Sequence, residues 1–264
     1  MIDEPVFHRE GGLLVPTGHA RGPWDPGQLH GGAPAALLAG ALQDLAPEMQ
    51  VARLGYDFLG PVPFAPLGVE VRIAKPGRRF QLAEGELRGA DGRTLVVVRA
   101  ALLRRGDVDL PEASRWDAPP PLDGPDTSAS SEFPLPPGDD PRAFQRTAMD
   151  IRFAGGTGFG EGPAQAWFRL ARPLVGAEPV QPVARAAAAA DFGNGVSRVL
   201  DFRTHLFTNV DLTVTLLRDP VTEWVMLDAR TVAEPTGVGW ARSTLHDERG
   251  PVGFAQQTLF VDGR

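Results

Sequence analysis

Asp191 is the residue whose setting in the sequence most directly suggests chemistry. It follows five consecutive alanines, Ala186 to Ala190, and precedes glycines at positions 193 and 195. A helix built from alanine, without charged or bulky side chains, is typical of one that packs closely against a neighbouring element. A carboxylate at a helix C-terminus is mildly unfavourable because of the helix dipole. Asp191 therefore either caps the next turn or accepts a proton during catalysis, a common use of a carboxylate.

Other common catalytic chemistries lack their residues in this chain. Cysteine is absent, which excludes a disulfide scaffold, a zinc–cysteine site and a cysteine nucleophile. No G-x-S-x-G serine motif occurs, since the nearest stretch, GNGVSRV, lacks the closing glycine. We expect neither a metal nor a cofactor, because metal-ligand spacing is absent among the histidines, which are His8, His19, His30, His205 and His246. For a hydrolase, the mechanism that remains is attack by a water molecule that a carboxylate activates.

Composition narrows the class of protein and its partners. The chain has 264 residues, of which 42% are hydrophobic and 22% charged, as in a soluble globular protein with one large domain or two ordinary ones. The net charge is -7 without a dense Lys/Arg run, so nucleic acid is not an expected partner. The first residues, MIDEPVFHREGG, do not resemble a secretory signal, and no apolar stretch reaches 18 residues. We therefore expect a cytoplasmic protein with no membrane span.

The elements that would position Asp191 occur twice along the chain. Alanine-rich helices are predicted at 31–45 and 182–192, each after a strand or two and before a series of alternating apolar and polar runs. The stretches ADGRT and DERGP lie at matching places and predict hairpin turns. Nine prolines between Pro111 and Pro141 indicate a linker. The predicted organisation is an N-terminal unit at 1–108, a Pro-rich linker at 109–144 and a C-terminal unit at 145–264.

The last strands of the two units align without gaps at an offset of 157 residues, which pairs Ala100 with Gln257. Arg99 is expected to point to solvent, so Ala100 and its counterpart Gln257 are expected to point inward. Gln256 then falls on the outer face. A glutamine on an inner face needs hydrogen-bond partners, and Asp191 is a plausible one, directly or through water.

This pattern resembles the double-hotdog acyl-CoA thioesterases of the acyl-CoA thioesterase II type. The stretches that carry the resemblance are LHGGAPAALLAGAL, TNVDLTVTLLRDPVTEW and AQQTLFV. The resemblance implies an α+β fold in which two tandem units each wrap a long antiparallel sheet around a central helix. It also implies hydrolysis of acyl-CoA thioesters, a place in fatty acid metabolism, and possible homo-oligomers formed through the sheets.

The same resemblance implies a set of site residues. In the family, a carboxylate on the second helix, a hydroxyl or amide on the following strand and a glutamine on the last strand together hold the attacking water. These positions correspond to Asp191, to Asn209 or Thr208, and to Gln257. The best-known members carry threonine at the middle position, whereas the alignment here places Asn209 there and Thr208 beside it. An amide can also hold a water molecule.

His30, Gly31 and Gly32 are candidate substrate-binding residues. They resemble the His-Gly-Gly that single-domain hotdog thioesterases carry before the helix, where a glycine amide polarises the carbonyl. In those enzymes a carboxylate follows about nine residues later, but this chain has Ala39 there, and Ala100 replaces the glutamine. The first unit thus lacks the other catalytic groups, and we interpret its His-Gly-Gly as mainly structural.

Two alternatives to a thioesterase stay open. A hotdog enoyl-CoA hydratase carries an Asp and a His a few residues apart, and DFGNGVSRV has the Asp but no His. A non-catalytic acyl-CoA-binding module built on the same fold is the alternative from a different class.

Overall fold

The computed structural model describes residues 4–114, 116, 119–121, 123–131, 140–156 and 158–264. Much of the predicted linker, at 115, 117–118, 122 and 132–139, lies outside the described residues. Within the described part of the chain, no helix is long and apolar enough to cross a membrane. The α-helices are α1 Gly32–Leu45, α2 Pro182–Ala190 and α3 Gly193–Val196, and short 3₁₀ or π turns occur at Gly18–Ala20, Glu112–Ser114 and Phe144–Ala148. The strands are β1 Phe7–Glu10, β2 Leu13–Pro16, β3 Met49–Phe58, β4 Leu67–Lys75, β5 Phe80–Gly89, β6 Thr94–Arg104, β7 Ala129–Ser130, β8 Met149–Gly155, β9 Ala164–Leu170, β10 His205–Asn209, β11 Asp211–Leu216, β12 Val225–Glu234, β13 Val238–Asp247 and β14 Gly250–Gly263.

The strands form one antiparallel sheet in which the same arrangement occurs twice. Its order is β1-β2-β4-β5-β6-β3-β11-β14-β13-β12-β9-β8-β7, and β10 pairs with β14. We call β1–β6 with α1 the first half, and β7–β14 with α2 and α3 the second half. The halves join where β3 pairs with β11, with Tyr56 opposite Leu212. In each half, strands that precede the helix lie at the outer edge, and the later strands form a meander. The predicted tandem hotdog architecture is confirmed.

The two long helices lie on the inner side of the sheet and touch each other. α1 packs against β3–β6, and α2 packs against β9 and β11–β13. Ala186–Ala190 are at most 1% exposed, which confirms the prediction of a buried central helix. Small side chains are required here because bulkier ones would separate the helix from the sheet and from its neighbour.

The helices run antiparallel, so the start of each meets the end of the other. At one end, a Cβ atom added to Gly32 would lie 2.8 Å from the Ala188 carbonyl oxygen. At the other end, Gln181 donates a hydrogen bond of 2.6 Å to Asp44. This arrangement brings the beginning of α1 to the residue that follows α2, which is Asp191.

Asp247 anchors the end of β13 to the connection between β11 and β12. Its buried carboxylate accepts hydrogen bonds from both Arg218 terminal nitrogens, at 2.6 and 2.7 Å. The Val221 and Arg249 backbone N–H groups also donate to it. Burial raises the pKa of Asp247, but these hydrogen bonds and the Arg218 charge outweigh burial, so the pKa lies below its usual value.

Candidate active site

A cavity of about 80 Å³ lies where the start of α1 approaches the end of α2. Both halves contribute to it. Its lining residues are Pro23, Trp24, Leu29, His30, Gly31, Asp191, Phe192, Asn194, Gly195, Phe202, Phe207 and Asn209. The lining thus combines a carboxylate, an imidazole and two amides with a larger number of apolar side chains.

The Asp191 carboxylate is the centre of the polar part of the cavity. Its Oδ1 accepts a hydrogen bond of 2.6 Å from Asn209 Nδ2 and a longer one of 3.4 Å from Gln257 Nε2. Its Oδ2 lies 3.0 Å from His30 Nδ1. The residue is 8% exposed, so this carboxylate is held by neighbouring side chains and is largely shielded from bulk water.

Gln257 supports Asp191 from behind the cavity. It points inward from β14 while Gln256 is exposed, as predicted from the alternation of the strand. Its Nε2 donates to the Asp191 carbonyl oxygen at 3.0 Å, and its Oε1 accepts from the Asn194 backbone N–H at 3.0 Å. The predicted proximity of Gln257 and Asp191 is therefore observed as direct contact. Because its amide is already bonded at both ends, the geometry favours a positioning role over direct contact with a water molecule.

Asn209, and not Thr208, faces the cavity. Successive residues of β10 point to opposite faces. Phe207 is 1% exposed and lines the cavity together with Asn209, two residues further on. Thr208 lies opposite Phe260 on β14 and is not among the cavity residues. Of the two candidates, the structure therefore places Asn209 at Asp191, while the alternation of the strand directs the Thr208 side chain to the other face.

The His-Gly-Gly stretch of the first half forms part of the same cavity. The His30 ring stacks on Phe192, with centroids 4.4 Å apart, and its Nδ1 reaches Asp191. The Gly32 N–H also lies 3.0 Å from that Nδ1. One nitrogen cannot both donate to the carboxylate and accept from Gly32, so the position of the ring proton decides which contact is a hydrogen bond.

The two glycines after His30 are required by space. A Cβ atom on Gly31 would lie 2.9 Å from Asp191 Oδ2, and one on Gly32 would strike the Ala188 carbonyl. Gly31 lines the cavity, whereas Gly32 packs between the helices. Among the described residues, none accepts a hydrogen bond from the Gly31 N–H. The interpretation of this stretch as mainly structural stays a prediction, but the antiparallel packing of α1 and α2 places His30 and Gly31 against Asp191.

The aromatic part of the cavity was not predicted as a site. Trp24 lies 5.0 Å from Phe202 and 5.5 Å from Phe207 between ring centroids, and the two phenylalanines are 4.8 Å apart. Trp24 is half-buried, and no periodic pattern in the sequence connects it with the other two residues. In the described part of the chain, no three potential metal-ligating side chains converge.

Comparisons with known proteins identify relatives of both halves. Residues 20–105 match the family profile of the acyl-CoA thioesterase N-terminal domain, and residues 118–261 match that of the acyl-CoA thioesterase C-terminal domain. No protein of curated function matches the chain.

Three solved structures show the same fold at low sequence identity. One is a candidate thioesterase from Novosphingobium aromaticivorans DSM 12444, with a TM-score of 0.74 and 22% identity over 98% of this chain and 100% of that chain. Another is a hot dog fold protein of unknown function from Alicyclobacillus acidocaldarius, with a TM-score of 0.69 and 18% identity over 98% and 96%. The third is the acyl-CoA thioesterase II TesB2 from Mycobacterium marinum, with a TM-score of 0.60 and 17% identity over 89% and 90%.

Proposed function

We propose that this chain, which belongs to the acyl-CoA thioesterase family, hydrolyses acyl-CoA thioesters to a free acid and CoA. The observation that carries the proposal is the Asp191 carboxylate, which lines a cavity and is held by Asn209 and by His30. We further propose that residues 1–108 and 145–264 are the two structural units and that 109–144 connect them.

In this proposal Asp191 acts as the general base. A water molecule in the cavity attacks the thioester carbonyl carbon while its proton passes to the Asp191 carboxylate. The carbonyl π electrons move onto oxygen and form a tetrahedral oxyanion. When that intermediate collapses, the C–S bond breaks, the free acid forms, and the CoA sulfur leaves with the electron pair and takes up a proton.

The start of α1 is the proposed site for the oxyanion. The Gly31 N–H lacks an acceptor among the described residues, lies at the N-terminus of a 14-residue helix, and belongs to the cavity wall. Backbone N–H groups and the positive end of a helix dipole stabilise a developing negative charge, most strongly where little water is present. Gly31 is also the residue that allows α1 to approach Asp191 so closely.

Asn209, Gln257 and His30 are proposed to orient the base. The two amides donate to Asp191 Oδ1, and His30 lies against Oδ2. A carboxylate fixed at both oxygens loses little conformational freedom when the reaction begins. His30 also lines the cavity, so we retain it as a substrate-binding residue.

A second candidate function is hydration of an enoyl-CoA. The contact between Asp191 and His30 favours it, because it brings together an Asp and a His that are far apart in the sequence. That pair could exchange a proton with water at a double bond as well as at a thioester.

One assay separates these functions. Purified protein is incubated with acyl-CoA and enoyl-CoA substrates, and released CoA is measured with a thiol reagent. Because the chain contains no cysteine, the thiol signal comes from CoA alone. Release of CoA supports the thioesterase. Loss of enoyl absorbance without release supports the hydratase, and binding without turnover supports a non-catalytic module.

A further inference from the structure

The cavity beside Asp191 has an apolar part that bears on the substrate. Trp24, Phe202 and Phe207 contact one another with centroid separations of 4.8 to 5.5 Å, which is the spacing of directly packed aromatic rings. Such packing leaves no gap for a methylene chain to pass between the rings. All three residues line the cavity, and we call them the aromatic wall.

The three side chains of the aromatic wall come from separate parts of the chain. Trp24 lies in a loop whose ends are joined by a hydrogen bond of 2.8 Å from the Gly22 N–H to the Gln28 carbonyl. Phe207 lies on β10 and is 1% exposed. The Arg264 guanidinium lies over the Trp24 ring at 5.6 Å. These contacts hold Trp24 in the lining of the cavity.

The aromatic wall fits the acyl group better than it fits the CoA arm. The thioester carbonyl must lie near Asp191 and Gly31, so one substituent of that carbonyl extends toward the aromatic wall. The CoA arm carries amide groups, and burying an amide without hydrogen-bond partners is costly. Trp24, Phe202 and Phe207 supply almost no such partners, whereas an alkyl group loses nothing by contact with them.

The volume of the cavity limits the length of the acyl group. An apolar cavity of about 150 Å³ is large enough to hold benzene, with six carbons. The cavity here is about 80 Å³. On the proposed function, and resting on it, we infer that this protein prefers short acyl groups of about four carbons or fewer, and that Trp24 sets this limit.

The test compares chain-length profiles of the parent protein and three variants. kcat/KM is measured for acetyl-, butanoyl-, hexanoyl-, octanoyl- and dodecanoyl-CoA with the parent, Trp24→Ala, Trp24→Phe and Trp240→Ala. Trp240 is the matched control, because it lies on β13 with its ring on the outer face of the sheet, 37% exposed and away from the cavity. Circular dichroism verifies that each variant is folded.

We expect the parent to prefer butanoyl-CoA to dodecanoyl-CoA by about 100-fold or more, since one methylene group in an apolar pocket already discriminates by about 10- to 200-fold. Trp24→Ala should reduce that preference at least about tenfold. The preference of Trp24→Phe should lie between those of the parent and of Trp24→Ala, and the preference of Trp240→Ala should equal that of the parent. Equal rates for the two substrates in the parent, or an unchanged profile in folded Trp24→Ala, would overturn the inference.

A binding measurement keeps this inference separate from the proposed function. If no acyl-CoA is hydrolysed, the thioesterase proposal fails, and the length limit is then read from calorimetry with two stable thioethers, S-butyl-CoA and S-dodecyl-CoA. Tighter binding of the butyl compound, lost in Trp24→Ala, supports the limit. Equal or tighter binding of the dodecyl compound to the parent contradicts it.

Discussion

Replacing Asp191 by asparagine removes the proposed base and changes almost nothing else in the cavity. The oxygen of the new side-chain amide can still accept hydrogen bonds from the two groups that reach Oδ1, which are Asn209 Nδ2 at 2.6 Å and Gln257 Nε2 at 3.4 Å. The NH₂ group of that amide would take the place of Oδ2 and face His30 Nδ1, which accepts a hydrogen bond when the ring proton is on Nε2. The substitution therefore preserves the contacts and removes the negative charge.

The expected effect on the reaction is large and the effect on stability is small. General-base catalysis contributes about 10²- to 10⁴-fold, which corresponds to about 2.7 to 5.4 kcal/mol of activation free energy. A hydrogen bond to a charged acceptor stabilises a protein by about 1 kcal/mol more than one to a neutral acceptor. For a chain of this size that difference lowers the unfolding temperature by about 2 to 4 °C.

Steady-state CoA release and thermal unfolding of the purified Asp191→Asn variant measure both quantities. We expect kcat to fall by about 10²- to 10⁴-fold with little change in KM, because the substrate contacts remain. Asp191→Glu is a useful companion, since it keeps the charge but moves it by one methylene group. If Asp191→Asn retained kcat within about fivefold of the parent while folded, Asp191 would not be the base.

Three further predictions concern the supports of this site and of the fold. Gln257→Ala should lower kcat by about tenfold or more, less than Asp191→Asn, whereas the matched control Gln256→Ala, exposed on the same strand, should leave it unchanged; similar losses in both variants would contradict the positioning role. Gly31→Ala should abolish most activity, because its Cβ would lie 2.9 Å from Asp191 Oδ2. Full activity of this variant would contradict the prediction and would show that α1 can move away from Asp191. The pKa of Asp247 is lowered in the folded protein, so its ionised form stabilises the fold above the unfolded-state pKa and that contribution is lost as the pH falls through the folded-state pKa. The unfolding temperature should therefore decrease as the pH falls below about 4, and this decrease should be smaller in Asp247→Asn. An unchanged pH profile of the unfolding temperature in the variant would contradict this prediction.

The sequence predicted those features that depend on local periodicity. Alternation along β14 was enough to place Gln257 inward and Gln256 outward, and the run Ala186–Ala190 was enough to predict a tightly packed helix. Alternation also rules out having Asn209 and Thr208 on one face, but it does not say which of them points inward. That choice depends on the register of β10 against β14, which is a property of the pair.

The sequence did not predict features that depend on how distant segments meet. His30 reaches Asp191 only because α1 and α2 pack antiparallel, and nothing in either helix alone specifies the direction of the other. The same holds for the aromatic wall, because Trp24 and Phe202 lie in loops of different halves. A lone aromatic residue in a loop carries no periodic pattern from which its partner could be inferred.

The junction of β3 with β11 has a consequence for how the cavity is maintained. His30 and Asp191 belong to different halves, yet one continuous chain carries both, so dilution cannot separate the walls as it would separate two associating subunits. In a pair of identical subunits every residue is present twice, and a substitution alters both ends of the helix pair together. Here each residue occurs once. One end of the α1–α2 pair can therefore keep Asp191 and His30 while the other end carries Asp44 and Gln181. A substitution at one end leaves the residues of the other end unchanged.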